Sequence, residues 1–202
     1  MLTLRYAPPS PYVRKVRIAA DLLGIPLKLE AADTVSPDEA FLGQNPIGKI
    51  PVLIEETGER YYDSRVIVEY LDHHAGGGKI IPREGKARLD VLRLQALCDG
   101  ILDACLLLIY EGRFREPAMR VTKWVDHQAG KVARGLAYLE AHTPPLDRLP
   151  NVGQIALACL LGYRDLRFPD QDWRKDHPKL RAWLERFEAQ VPAFAATRMK
   201  PE

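Results

Sequence analysis

The chain of 202 residues holds few of the groups that announce a function on their own. It has three cysteines, Cys98, Cys105 and Cys159, each set in an apolar run and none in a CxxC pair. An odd count without paired spacing reads as small buried hydrophobes and not as a disulfide framework or metal ligands. The two adjacent histidines, His73 and His74, diverge on a helix and do not make a zinc pair, so no metal is expected. No basic excess is present: 29 Lys and Arg face 27 Asp and Glu, a formal charge of +2, too balanced for a nucleic-acid partner chosen by bulk electrostatics. Long apolar runs are also missing, and the N-terminal MLTLRYAPPSPYVRKVR lacks an apolar signal core, so the expectation is a cytoplasmic protein without a membrane partner.

What is present is an uneven division of pattern. Residues 2–6 read as a strand stopped by Ala7-Pro8-Pro9, and residues 11–24 as a helix with apolar positions at Val13, Val16, Ala19, Ala20 and Leu23. A strand returns at 25–30. After a long connection, residues 50–55 and 60–62 read as a hairpin around Glu56-Thr57-Gly58-Glu59, followed by a helix opened by Asp63 or Ser64. Gly76-Gly77-Gly78 marks a break. Beyond it the pattern is helical: 84–111, 117–142, 151–163 and 178–191. The fold class is therefore α+β, with a mixed domain over 1–78 and an all-α domain over 84–202.

Three segments of the first half carry chemical interest. Ser10-Pro11 is an N-cap and first-turn pair, and the Ser10 hydroxyl at that helix start can also face a ligand anion. Ile50-Pro51 stands just before a strand, where proline removes a ladder donor; a cis bond there exposes the Ile50 backbone for pairing with an extended peptide. Asp63-Ser64-Arg65 opens a helix whose amides, hydroxyl and dipole together suit a carboxylate. Each also reads, by itself, as an ordinary cap or edge proline.

Taken in order, these features resemble the cytosolic glutathione S-transferase family, with a thioredoxin-like N-terminal domain and a helical C-terminal domain. SPYVRKVR resembles the SPF-type start of its serine-dependent and omega-like branches, NPIGKIPVL and YDSRVIVEYL its glutathione-site segments, and WRKDHPKLRAWLERFEAQVPAF its C-terminal stretch. The resemblance implies that Ser10 donates to the thiolate of glutathione, the co-substrate, and that the sulfur is the nucleophile. It implies that Ile50, in the turn made with Pro51, pairs with the cysteinyl backbone. Ser64, helped by Asp63 where relatives often carry Glu, holds the γ-glutamyl carboxylate, and Lys49 faces the glycyl carboxylate. Asp99 resembles an acidic position that in some relatives reaches the glutathione amine of the other subunit of a homodimer; a solvated helix face is the competing reading. Tyr6 and Tyr12 are fallback donors to the sulfur.

A serine where omega-like relatives have cysteine disfavours mixed-disulfide chemistry and leaves conjugation, peroxide reduction or isomerisation. The electrophile pocket is expected between the domains, from Tyr12, Tyr110, Arg113 and Phe114; Leu106 shares the face of the last three at helical spacing and reads as packing. Asn151-Val152-Gly153-Gln154 keeps the chemistry of a capping box. The function expected is a glutathione transferase of small hydrophobic electrophiles, against a non-catalytic ligand carrier or protein-interaction module of the same fold.

Overall fold

The computed structural model describes residues 1–199. Its elements are β1 (Leu2–Tyr6), α1 (Pro11–Leu22), β2 (Leu27–Ala31), α2 (Glu39–Gln44), β3 (Val52–Ile54), β4 (Arg60–Tyr61) and α3 (Ser64–His74), then α4 (Gly85–Phe114), α5 (Thr122–Ala141), α6 (Val152–Arg167), α7 (Pro178–Gln190) and α8 (Pro192–Ala196). The sheet runs β2-β1-β3-β4, with β1 parallel to β2 and antiparallel to β3, and β3 antiparallel to β4. This is the α+β arrangement expected: a small mixed sheet followed by helices alone.

Local chemistry accounts for the helix starts. The Val13 N–H donates to Ser10 Oγ at 3.3 Å, and Pro11, which has no N–H to lose, takes the first helical position of α1. At α6 the capping box is complete: the Gln154 N–H donates to Asn151 Oδ1 at 3.1 Å and the Asn151 N–H to Gln154 Oε1 at 3.0 Å. The α6 helix is buried on all sides from Val152 to Leu161, so it forms the axis of the helical half.

Several expected boundaries shift. Helix α4 runs three residues past the expected end, to Phe114, and a 3-10 turn at Pro117–Met119 occupies what reads in sequence as the start of the next helix. Proline at the head of that turn suits a helix start, yet the chain straightens before α5 begins at Thr122. The six-residue α2, capped by Asp38 with Phe41 as its one buried side chain, is too short to leave a periodicity in sequence.

Helix α1 is the seam between the two halves. It packs on α3 within the first half and on α6 and α8 of the second. The link from α3 to α4 is fixed by Asp72, whose buried carboxylate accepts from the N–H groups of Gly78, Lys79 and Ile80 at 2.7, 3.0 and 2.8 Å. Gly78 has φ +77°, the left-handed region open to glycine, which lets three amides converge on one side chain. Replacing Asp72 by Ala strands these donors and should cost about 2–3 kcal/mol. The measurement is a urea titration, in which the midpoint falls with little change of slope.

Candidate functional site

Ser10 lies at the junction of β1 and α1 and lines a cleft between the two halves. The other walls are Pro8, Pro9, Pro11, Arg14, Cys159, Gly162, Tyr163, Leu166, Thr197 and Met199. Its oxygen serves the cap by accepting from Val13. A hydroxyl has one donor and two acceptor sites, so the cap leaves the Ser10 hydrogen free to donate into the cleft.

The Ile50–Pro51 bond is cis, as the exposed-backbone reading requires. The strand that follows is an inner one, β3, flanked by β1 and β4, and not the edge that a proline there implies. The leading end of β3 nevertheless lacks a strand partner on the β4 side. β4 pairs only with Leu53 and Ile54, so residues 50–52 project beyond it. The preceding loop is tied by the buried Asn45, whose Nδ2 donates to the Lys49 carbonyl at 2.8 Å and whose Oδ1 accepts from the Ile47 N–H at 3.2 Å. Lys49 itself is exposed.

At the start of α3, Asp63 is the N-cap and accepts from the Arg65 N–H at 2.9 Å. The peptide bond before it, Tyr62–Asp63, is also cis. Ser64 is buried at the first helical position, so its N–H is one of the helix's unpaired donors.

Asp99 does not lie on a solvated face: it is 1% exposed. Its oxygens accept from Lys15 Nζ at 2.9 and 2.8 Å and from Arg65 Nε at 3.0 Å. One carboxylate thus joins α1, α3 and α4, and sets the helix that starts beside Ser10 against the helix that starts at Ser64. The competing reading of a solvated face fails because α1 and α3 cover that turn of α4, which the α4 pattern alone does not report. The Arg65 side chain stays half exposed beside the α3 start and shares the Asp99 carboxylate with Lys15, with Asp63 and Asp103 also close enough to act on it.

Tyr12 donates its hydroxyl to Asp103 on α4, a second link between α1 and the helical half. Burial first, then that hydrogen bond, pushes its phenol far above the ordinary value, so it stays protonated. Tyr110 and Phe114 meet edge to face with centroids 5.2 Å apart, and Arg113 stacks 5.7 Å from the Tyr110 ring. Neither Tyr12 nor this cluster lines the cleft beside Ser10; Tyr163 does, and Tyr110 neighbours it. Tyr163 is pushed up to about 12, chiefly by burial.

The three cysteines are free and buried. Burial pushes the Cys159 thiol, at the cleft wall, up to about 12, so it stays protonated and is not a nucleophile near neutrality. Among the described residues no group of three or more His, Cys, Asp and Glu is placed to hold a metal ion. The residues that sequence reading passes over are Lys15, Arg65, Asp103 and Arg14. Their partners stand tens of residues away or more, and only the neighbouring Ser10-Pro11 and Asp63-Ser64 pairs hinted that these turns matter.

Residues 4–79 match the family of glutathione S-transferase N-terminal domains and residues 122–186 that of glutathione S-transferase C-terminal domains. The uncharacterised GST-like protein YibF of Escherichia coli K12 is 34% identical over 175 residues, spanning 85% of this chain and 86% of its own. A glutathione transferase family member from Pseudomonas fluorescens Pf-5, solved with bound glutathione, is 42% identical and superposes over the whole of both chains with a TM-score of 0.88. A glutathione S-transferase from Methylobacillus flagellatus, with glutathione bound, gives 0.91 at 35% identity over both full lengths. With its capped helix starts, its cis Ile50–Pro51 turn and relatives matching along its length, the chain belongs to the glutathione S-transferase family.

Proposed function

We propose that the protein is a serine-type glutathione transferase: it binds glutathione along the first half and activates its thiol for attack on a small electrophile. The observation that carries this reading is the Ser10 hydroxyl, which caps α1 through its oxygen and still has its hydrogen to give to the cleft. A thiol has a pKa of roughly 8.5. One donor to a charged acceptor contributes about 1.5–3 kcal/mol, and the positive end of α1 adds to it. Together these favour the bound thiolate near neutral pH. The sulfur then forms a bond to the electrophilic carbon, the bond from that carbon to its leaving group breaks with the electron pair going to the departing group, and the thiol proton passes to solvent.

The tripeptide is extended and carries two carboxylates, and the sites assigned to it suit that shape. Residues 50–52 project past β4, so the Ile50 backbone is offered as a pairing edge for the cysteinyl residue, with Pro51 setting the turn. The unpaired amides at the α3 start and the Ser64 hydroxyl favour the γ-glutamyl carboxylate, with Asp63 fixing the helix start and the half-exposed Arg65 beside it. Lys49 faces the glycyl carboxylate as a solvated charge. Asp99 acts from within its own chain, by holding Arg65 and α1 in place, since its carboxylate is already engaged. In this reading residues 1–78 hold glutathione and residues 84–202 supply the electrophile side, where Tyr163 leads outward to Tyr110, Arg113 and Phe114.

We assign a second copy of the chain as partner. The exposed apolar Val66 and Leu89 flank the Arg88–Glu69 ion pair that ties α3 to α4, and Tyr62 precedes it. Free buried thiols suit a reducing compartment, the cytoplasm.

Two measurements test this function. Replacing Ser64 by Ala should weaken glutathione binding about tenfold in calorimetric titration, the effect of one hydrogen bond to a charged group. The wild-type protein should turn over a neutral chloronitroarene with glutathione. Binding without turnover would favour the ligand carrier or interaction module instead.

A further inference from the structure

Arg14 is the only charged residue among the described residues that line the Ser10 cleft. It is 9% exposed, and its recorded partners are neutral: Nε donates to Thr197 Oγ1 at 3.2 Å and Nη2 to the Phe194 carbonyl at 2.5 Å. The guanidinium also lies 3.9 Å from the Phe194 ring centroid. No carboxylate among the described residues comes within ion-pair distance of it, whereas Lys15, one residue on and more deeply buried, has Asp99. A buried cation without a counter-ion is unfavourable unless something supplies one.

The neighbouring helix is shaped around this group. A Cβ placed on Gly162 of α6 would stand 2.3 Å from Arg14 Nη1, so the absence of a side chain there makes room for the guanidinium at the cleft wall. Arg14 follows Ser10 by one helical turn, on the same face and about 6 Å further along the axis.

We infer that Arg14 selects the second substrate: an electrophile carrying a carboxylate or a similar anionic group, which pairs with the guanidinium while the reacting carbon sits at the sulfur beside Ser10. This rests on the transferase reading above and adds the class of its second substrate. With an activated aryl chloride the step balances simply. A carbon–sulfur bond forms, the carbon–chlorine bond breaks, chloride leaves with the bonding pair, and the thiol proton goes to solvent.

The test compares 4-chloro-3-nitrobenzoate with 4-chloro-3-nitrobenzamide at saturating glutathione, each rate divided by its uncatalysed rate. For wild type, kcat/KM enhancement should favour the acid at least about tenfold. Arg14→Met should abolish that preference by raising KM for the acid and leaving the amide nearly unchanged, and Arg14→Lys should retain part of it. Equal enhancement by wild type, or equal losses on both substrates in Arg14→Met, overturns the inference. Arg14 also holds the Phe194–Thr197 turn, so a second measurement needs no variant. Titration of 3-nitrobenzoate and 3-nitrobenzamide into the glutathione-loaded wild-type protein should show the acid binding at least about tenfold more tightly. Equal binding, or none, overturns Arg14's role. Absence of turnover with selective acid binding instead overturns the transferase reading and leaves the anion site standing.

Discussion

Ser10→Ala should lower turnover by about 10- to 100-fold at neutral pH while glutathione still binds, because one charge-assisted hydrogen bond is worth about 1.5–3 kcal/mol. The sulfur would remain a nucleophile, but less of it would be ionised. The loss should therefore shrink as pH rises toward the ordinary thiol range, since at high pH the thiolate forms without help. Ser10 also caps α1, and removal of a cap costs about 1 kcal/mol of stability. Ser10→Asp separates the two roles. Aspartate is a good cap and accepts from the Val13 amide as serine does, but near neutrality it has no hydrogen to donate and repels an anion. It should recover the stability lost in Ser10→Ala and leave turnover low. Activity that returns together with the cap would show that Ser10 matters only for folding.

Asp99→Asn should destabilise the protein by about 3–5 kcal/mol, the usual cost of leaving a buried charge without its partner. The stranded charge is Lys15, which is 1% exposed and takes both Asp99 oxygens. Replacing both members, Lys15→Met with Asp99→Leu, should restore much of that stability, because well-packed apolar groups often substitute for a buried pair at little cost. It should not restore glutathione affinity. Arg65 would still lack the carboxylate that fixes it at the α3 start. Urea unfolding follows the first quantity and calorimetric titration the second. A single variant within about 1 kcal/mol of wild type would mean that water reaches Lys15 easily, and the three-helix junction would lose its proposed weight.

The contrast between Ser10 and Asp99 shows which parts of the site can be read along the chain. Ser10-Pro11, Asp63-Ser64 and Asn151-Gln154 are local devices: their partners lie within three residues, so the letters alone specify the contact. The α+β division is legible for a similar reason, since strand and helix patterns repeat within a few residues. The Asp99 junction spans separations of 84 and 34 residues, and the Arg14 contacts span 183 and 180. Nothing in the seven residues around Asp99 reports that α1 and α3 lie over it, so burial and exposure look alike from sequence. The inner position of β3 is hidden for the same reason. A proline before a strand reads as an edge, and only the short reach of β4 leaves residues 50–52 without a strand partner on that side, inside the sheet. The Tyr110, Arg113 and Phe114 spacing correctly places three side chains together, but it cannot tell that Tyr163, from another helix, and not they, lines the cleft beside Ser10.

The most direct test of Ser10 as thiolate donor is a pH titration of the absorbance of glutathione thiolate bound to the wild-type protein. A hydroxyl donor and a helix start acting together should bring the bound thiol to about 6.5, two units below the free value of roughly 8.5. Ser10→Ala should return most of that shift. A bound thiol that titrates like free glutathione in the wild-type protein would contradict the role assigned to Ser10.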